Sequence, residues 1–114
     1  MLKYNIMTEL TLNIIEPYLS LVLNGQKTIE GRLNIDKYKD LKTGDILLIG
    51  PERRKFNVER IYKYNSFEDM LNKEGVNNVL PNITKINEAI EVYYSFYTKE
   101  QEKEFGVLAI KIKG

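Results

Sequence analysis

Lys27, Glu30 and Arg32 stand in the run Gly25-Gln26-Lys27-Thr28-Ile29-Glu30-Gly31-Arg32, two cations and a carboxylate close together in the chain. In an extended strand side chains alternate, so Thr28, Glu30 and Arg32 share a face, with Lys27 beside them at the strand entrance. Arginine offers a planar fork suited to a phosphate or a base edge, and lysine offers a point charge. A carboxylate accepts from an exocyclic amine such as that of cytosine. The group can hold an anionic or strongly polar ligand. It can equally be a surface ion-pair ladder, contributing about 1 kcal/mol or less per pair.

Two further sets of residues carry chemistry. Glu52, Arg53, Arg54 and Lys55 follow Gly50-Pro51 and fall on a loop, where rigid scaffolds often place binding residues. The three adjacent cations suit a phosphate contact or a solvated turn. The chain also has 8 tyrosines. Tyr62 and Tyr64 share a strand face; Tyr93, Tyr94 and Tyr97 share a helix. Rings next to cations are what single-stranded nucleic acid stacks on. Tyr93 and Tyr97 also lie on an apolar stripe, which makes them core residues whose hydroxyls need partners. Tyr64 and Tyr97 are the candidate ligand contacts among them. Asn65 and Ser66 read as a turn and a helix cap, and Glu74 as a solvated helix end.

The absence of Cys and His removes disulfides, thiol nucleophiles, the usual zinc sites and histidine-based triads. No metal and no cofactor is expected, and any catalysis must use Lys, Asp, Glu, Ser, Thr or Tyr. With 114 residues, the chain is expected to be one domain, 1–114. A net charge of +1 draws it neither to nucleic acid nor to a membrane as a whole. The distribution is uneven: residues 1–63 hold 11 Lys/Arg against 8 Asp/Glu, and residues 64–114 hold 6 against 8. A basic face built from the first half is therefore possible. The N-terminus lacks the apolar core of a secretory leader, and no apolar run is long enough to span a bilayer, so a cytoplasmic location is expected.

The elements that must position these residues follow from periodicity. Thr8–Leu12 alternates as a strand. Pro17 opens a helix with Tyr18, Leu21 and Val22 on its apolar stripe, and Gly25 ends it. Lys27–Leu33, Ile46–Ile49 and Lys55–Tyr64 read as strands. Ser66 caps a helix with Asp69 as the reciprocal residue; Gly75 ends it, and 75–82 reads as a loop. A longer helix is expected over Thr84–Tyr97, from the spacing of Ile86, Ile90, Tyr93 and Tyr97. A short polar helical turn begins at Thr98, and a last strand covers Val107–Lys113. Segregated strands and helices argue for α+β, and about five short strands with glycine-marked turns can close into a small barrel.

The pattern Gly25-x-Lys27-x-x-Glu30-x-Arg32 resembles the signature of the ASCH domain family, whose fold is PUA-like. The stretch Tyr64–Pro81 and the tail built on Tyr93, Phe96, Tyr97 and Phe105-Gly106-Val107 are similar to segments of small archaeal-type members. The resemblance covers nearly the whole chain from Thr8 on. It implies a small PUA-like β-barrel of about five to six strands flanked by two to three helices. It implies binding of RNA or a nucleotide-like ligand in a charged cleft built on Lys27, Glu30 and Arg32, to which the loop cations Arg53 and Arg54 and the rings of Tyr64 and Tyr97 are the candidate additions. Some relatives are amidohydrolases of acetylated cytidine that use a lysine, a threonine and a helix glutamate. Lys27 matches that lysine, Glu74 loosely matches the glutamate, and Glu30 stands where the threonine would be. If the chain were an enzyme, Lys27, Glu30 and Glu74 would carry the chemistry. Thr28, adjacent to Lys27, points elsewhere in an extended backbone. A third reading is a protein-interaction module in a transcription-related complex.

Overall fold

The computed structural model describes residues 8–114; the leader-free reading of the N-terminus lies partly outside them. Its strands are β1 (Glu9–Leu12), β2 (Ile29–Leu33), β3 (Ile46–Ile49), β4 (Arg54–Tyr64) and β5 (Val107–Lys113). The helices are α1 (Tyr18–Leu23), α2 (Phe67–Glu74), α3 (Val76–Val79), α4 (Ile86–Tyr94) and α5 (Lys99–Phe105), with a 3-10 turn at Asp36–Tyr38. The α+β architecture is the one expected.

The sheet runs β1-β3-β4-β5-β2. β1 pairs parallel to β3, and every other pairing is antiparallel. β1 and β2 are therefore the two edges. The sheet curls until Arg32 on β2 donates from Nη2 to the Asn13 carbonyl just past β1, at 2.6 Å. This hydrogen bond spans the seam of the half-barrel.

Each face of the sheet has its own core. Inside the curl lie Leu12, Val22, Tyr38, Leu47, Ile49, Phe56, Val58, Leu108, Ile110 and Ile112. Under the helices lie Ile29, Leu33, Phe67, Met70, Val79, Tyr93, Val107 and Ala109. β5 serves both because its residues alternate between the two sides. Glu30 pairs opposite Ile110 and Arg32 opposite Leu108. Cross-strand partners share a face, so both charged side chains lie on the concave side. An irregularity between Val58 and Arg60 shifts the register of β4. Ile61 thereby keeps the inward side that Val58 held, and Arg60, Tyr62 and Tyr64 turn to the helix side.

Helix boundaries follow local chemistry. Glu16 accepts from the backbone N–H and hydroxyl of Ser20 at the start of α1. Ser66 accepts from Asp69 N–H and opens α2. A Thr98–Gln101 capping box opens α5. The expected loop over 75–82 instead contains α3. Gly75, at φ +92°, both ends α2 and begins α3, and no side chain marks the second start. The expected helix from Thr84 begins two residues later because Lys85 is extended, and it closes through turns after Tyr94. Four helices thus lie between β4 and β5, where two helices and a short helical turn were expected.

Candidate functional site

Lys27 is drawn inward by the turn that follows α1. Gly25, at φ +85°, takes a conformation other residues resist, and Lys27 N–H then donates to the Leu21 carbonyl. The Lys27 side chain is only 1% exposed. Its ammonium donates to the carbonyls of Ile29 and Val79, each at 2.6 Å, and lies 3.2 Å from Glu30 Oε1. An ammonium has three donors, and these three acceptors use all of them. Burial pulls the Lys27 pKa down, opposed by the attraction of Glu30.

Glu30 holds the centre. Its Oε2 accepts from Arg32 Nε at 3.0 Å and Nη2 at 2.8 Å. Burial pushes its pKa up, but Lys27 and Arg32 outweigh this and hold the carboxyl below its usual range. A carboxylate has about four acceptor positions, so Oε1 retains one. Arg32 also reaches Tyr38 Oη at 3.5 Å, which leaves one Nη1 N–H without a partner among the described residues. Burial lowers the Arg32 pKa, and the adjacent Glu30 carboxylate raises it to a net increase.

These groups floor a half-open cavity of about 180 Å³. Leu80, Val92, Tyr93 and Tyr97 wall it, and Asn13, Ile14, Ile15, Tyr18 and Phe96 complete the mouth. Phe67 fixes two of the walls: Tyr93 stacks on it at 4.4 Å and 7°, and Tyr97 at 5.5 Å and 9°. Gly31 is the second glycine with a specific task. A Cβ there would lie 2.7 Å from both Met70 Cε and Tyr93 Oη, so only glycine lets Tyr93 approach β2 this closely. The Tyr93 hydroxyl is buried and has no hydrogen-bond partner. Burial and the nearby Glu30 charge raise its pKa well above the usual phenol value.

The structure brings Lys27, Glu30 and Arg32, already close in the sequence, together with Tyr97 around one cavity. The other candidates stand elsewhere. Glu74 accepts both arms of Arg60, at 2.7 and 3.0 Å, and the Tyr64 hydroxyl. Neither Glu74 nor Tyr64 lines the cavity. Arg53 is exposed and lies 3.5 Å from Thr11 Oγ1. Arg54 donates to the Leu23 carbonyl and covers the Phe56 ring at 5.3 Å. Tyr18, Tyr38 and Phe96 were not singled out by the sequence as site residues, and Tyr93 was read chiefly as core. The aromatic cluster 93–97, with two tyrosines four apart and Phe96 between, is the signal that could have found Tyr93 and Phe96.

The ASCH domain profile matches residues 12–114. The chain belongs to the ASCH domain family. The crystal structure of the hypothetical protein PH0355 is 42% identical and superposes with a TM-score of 0.88, covering 93% of this chain and 98% of that one. The solution structure of protein PF0455 from Pyrococcus furiosus is also 42% identical, with a TM-score of 0.79, covering 93% and 96%. No curated protein matches the chain. Among the described residues of this ASCH domain, no helix is long and apolar enough to cross a membrane. No group of three or more acidic, His or Cys residues there could hold a metal ion.

Proposed function

We propose that this ASCH domain binds RNA or a nucleotide-like ligand by taking one base into the cavity over Glu30. The observation that carries the reading is the partnerless Tyr93 hydroxyl buried in the wall of a cavity floored by Glu30. A buried polar group without a partner costs ~1–3 kcal/mol, and a ligand acceptor at Tyr93 removes that cost. The cavity volume is below the ~300–1,000 Å³ typical of sites for drug-sized ligands, which suits one planar ring. Tyr18, Phe96 and Tyr97 supply aromatic surface for it. Glu30 Oε1 accepts an exocyclic amine, and Tyr93 donates to the neighbouring ring nitrogen or carbonyl. The free Arg32 N–H supplies a further contact, while Lys27 supplies charge from beneath. Arg53 and Arg54, outside the cavity, contribute exposed positive charge toward a polyanion.

Hydrolysis of an acylated base is less well supported. A general base works best with a pKa near the operating pH, whereas Glu30 is held low. Glu74, the other candidate base, is engaged by Arg60 and Tyr64.

The test is calorimetric titration of wild type with cytidine and uridine monophosphates, repeated with Phe96→Ala. Cytidine is expected to bind more tightly, because uracil would oppose a carbonyl to the carboxylate. Phe96 is 50% exposed, so its removal spares the fold and is expected to weaken binding about tenfold, within the ~1–3 kcal/mol of a base–aromatic stack. No binding of either nucleotide would remove the reading.

A further inference from the structure

A second surface, separate from the cavity, lies where β4 passes α2. Two adjoining depressions of about 490 and 380 Å³ share Lys63, Tyr64 and Lys73. Together they form one open groove. Tyr62 lies in it and is 53% exposed. The Arg60 guanidinium covers the Tyr62 ring at 4.6 Å. Arg60 is itself fixed by its two-armed contact with Glu74, and Glu74 by the Tyr64 hydroxyl. The platform is therefore ordered before anything binds, which lowers the entropy cost of binding.

The charges around the platform are unevenly matched. Arg60, Lys63 and Lys73 line the groove against Asp69 and Glu74, and Lys111 adds its field at Glu74. Four cations thus face two carboxylates, and Glu74 is already neutralised by Arg60. Lys63 and Lys73 are exposed and have no ion-pair partner among the described residues. A stacked ring flanked by uncommitted lysines is the equipment of a single-strand track: bases stack, and phosphates meet the lysines. An acidic peptide would use the lysines but would gain little from the exposed ring.

We infer that the groove between β4 and α2 is a binding track for single-stranded RNA, with Tyr62 as its stacking platform and Lys63 and Lys73 as its phosphate contacts. It goes beyond the cavity reading and stands without it. The β4 irregularity creates it by turning Arg60, Tyr62 and Tyr64 to one side.

The experiment is fluorescence anisotropy of a labelled mixed-sequence RNA decamer, with wild type, Tyr62→Ala and Lys63→Ala/Lys73→Ala, across a series of salt concentrations. All three positions are exposed, and thermal unfolding checks that the variants fold. Tyr62→Ala is expected to weaken binding about tenfold, in the range of one base stack. The double lysine variant is expected to flatten the slope of log affinity against log salt by about 1.4, or about 0.7 per phosphate for a single strand. Cytidine monophosphate binding should be unchanged in both variants. Unchanged decamer affinity and slope would overturn the track, as would binding of polyglutamate in place of RNA. Loss of mononucleotide binding by wild type, with decamer binding intact, would overturn the cavity reading alone and leave the track standing.

Discussion

Glu30→Gln tests whether the charged floor is a buried network or a surface ladder. The substitution keeps the shape and removes the charge. Side-chain exposures of 1% for Lys27, 7% for Glu30 and 19% for Arg32 put the group in the buried regime. There, removing one partner strands the others and costs about 3–5 kcal/mol. A glutamine oxygen can accept from one cation, but its amide then turns donors toward the other. Unfolding entropy near 60 °C is about 2.1 cal/mol/K per residue, or about 0.24 kcal/mol/K for a chain of this length. The expected fall in Tm is therefore about 12–20 °C. A surface ladder worth at most about 1 kcal/mol would lower Tm by only about 4 °C. The assay is thermal unfolding near pH 7, alongside urea titration with equal m-values. Lys27→Met provides the control. Because the two residues touch, the double variant should lose less than the sum of the singles, by about 0.5–3 kcal/mol. A Tm loss below 4 °C together with strict additivity would refute the buried network.

Gly31→Ala is expected to cost about 1–3 kcal/mol from overpacking against Met70 and Tyr93, read as a lowered urea midpoint. On the acid side, Glu30 and Glu74 have folded pKa values below the usual 4.5. The unfolded chain therefore binds protons first, and stability should fall as pH drops below about 4.5; Glu74→Gln should shallow that limb in pH-dependent denaturation. On the alkaline side, Tyr64 and Tyr94 are raised to about 12, Tyr64 chiefly by burial and Tyr94 by its bond to Glu102. The unfolded chain then loses protons first, so stability should fall above about pH 10, and Tyr94→Phe should delay the onset. Neither wild type nor Glu30→Thr is expected to release acetate from acetylcytidine, because the Glu74 carboxylate is held by Arg60 and Tyr64. Turnover by either protein in an acetate-release assay would show that the base comes from elsewhere.

The sequence made the strands legible because alternation and glycine stops are local signals. Gly25, Ser66 and Thr98 acted where their chemistry said they would. It placed Glu30 and Arg32 on one face because alternation along a strand needs no tertiary knowledge, and Lys27 beside them, although the strand begins at Ile29 and not at Lys27 as expected. Lys27's depth was not legible. A lysine after Gly-Gln reads as exposed, and one of its acceptors, the Val79 carbonyl, lies 52 residues away. α3 was missed for a related reason: its two asparagines favour turns, and buried Val79 holds it by packing. The Arg60–Glu74 pairing was equally hidden, since Glu74 at a helix end looks solvated until β4 shifts register.

The Arg32 contact across the seam has a consequence for how the protein can change. The guanidinium that joins β2 to the chain beyond β1 also lines the cavity floor. Closure of the half-barrel and the recognition proposed for its floor would therefore share the same atoms, and a new floor chemistry would loosen the scaffold that holds it. The rim carries no such double duty: Ile15 and Phe96 are 56% and 50% exposed. Substitution has room at the mouth, while the floor is held to one design.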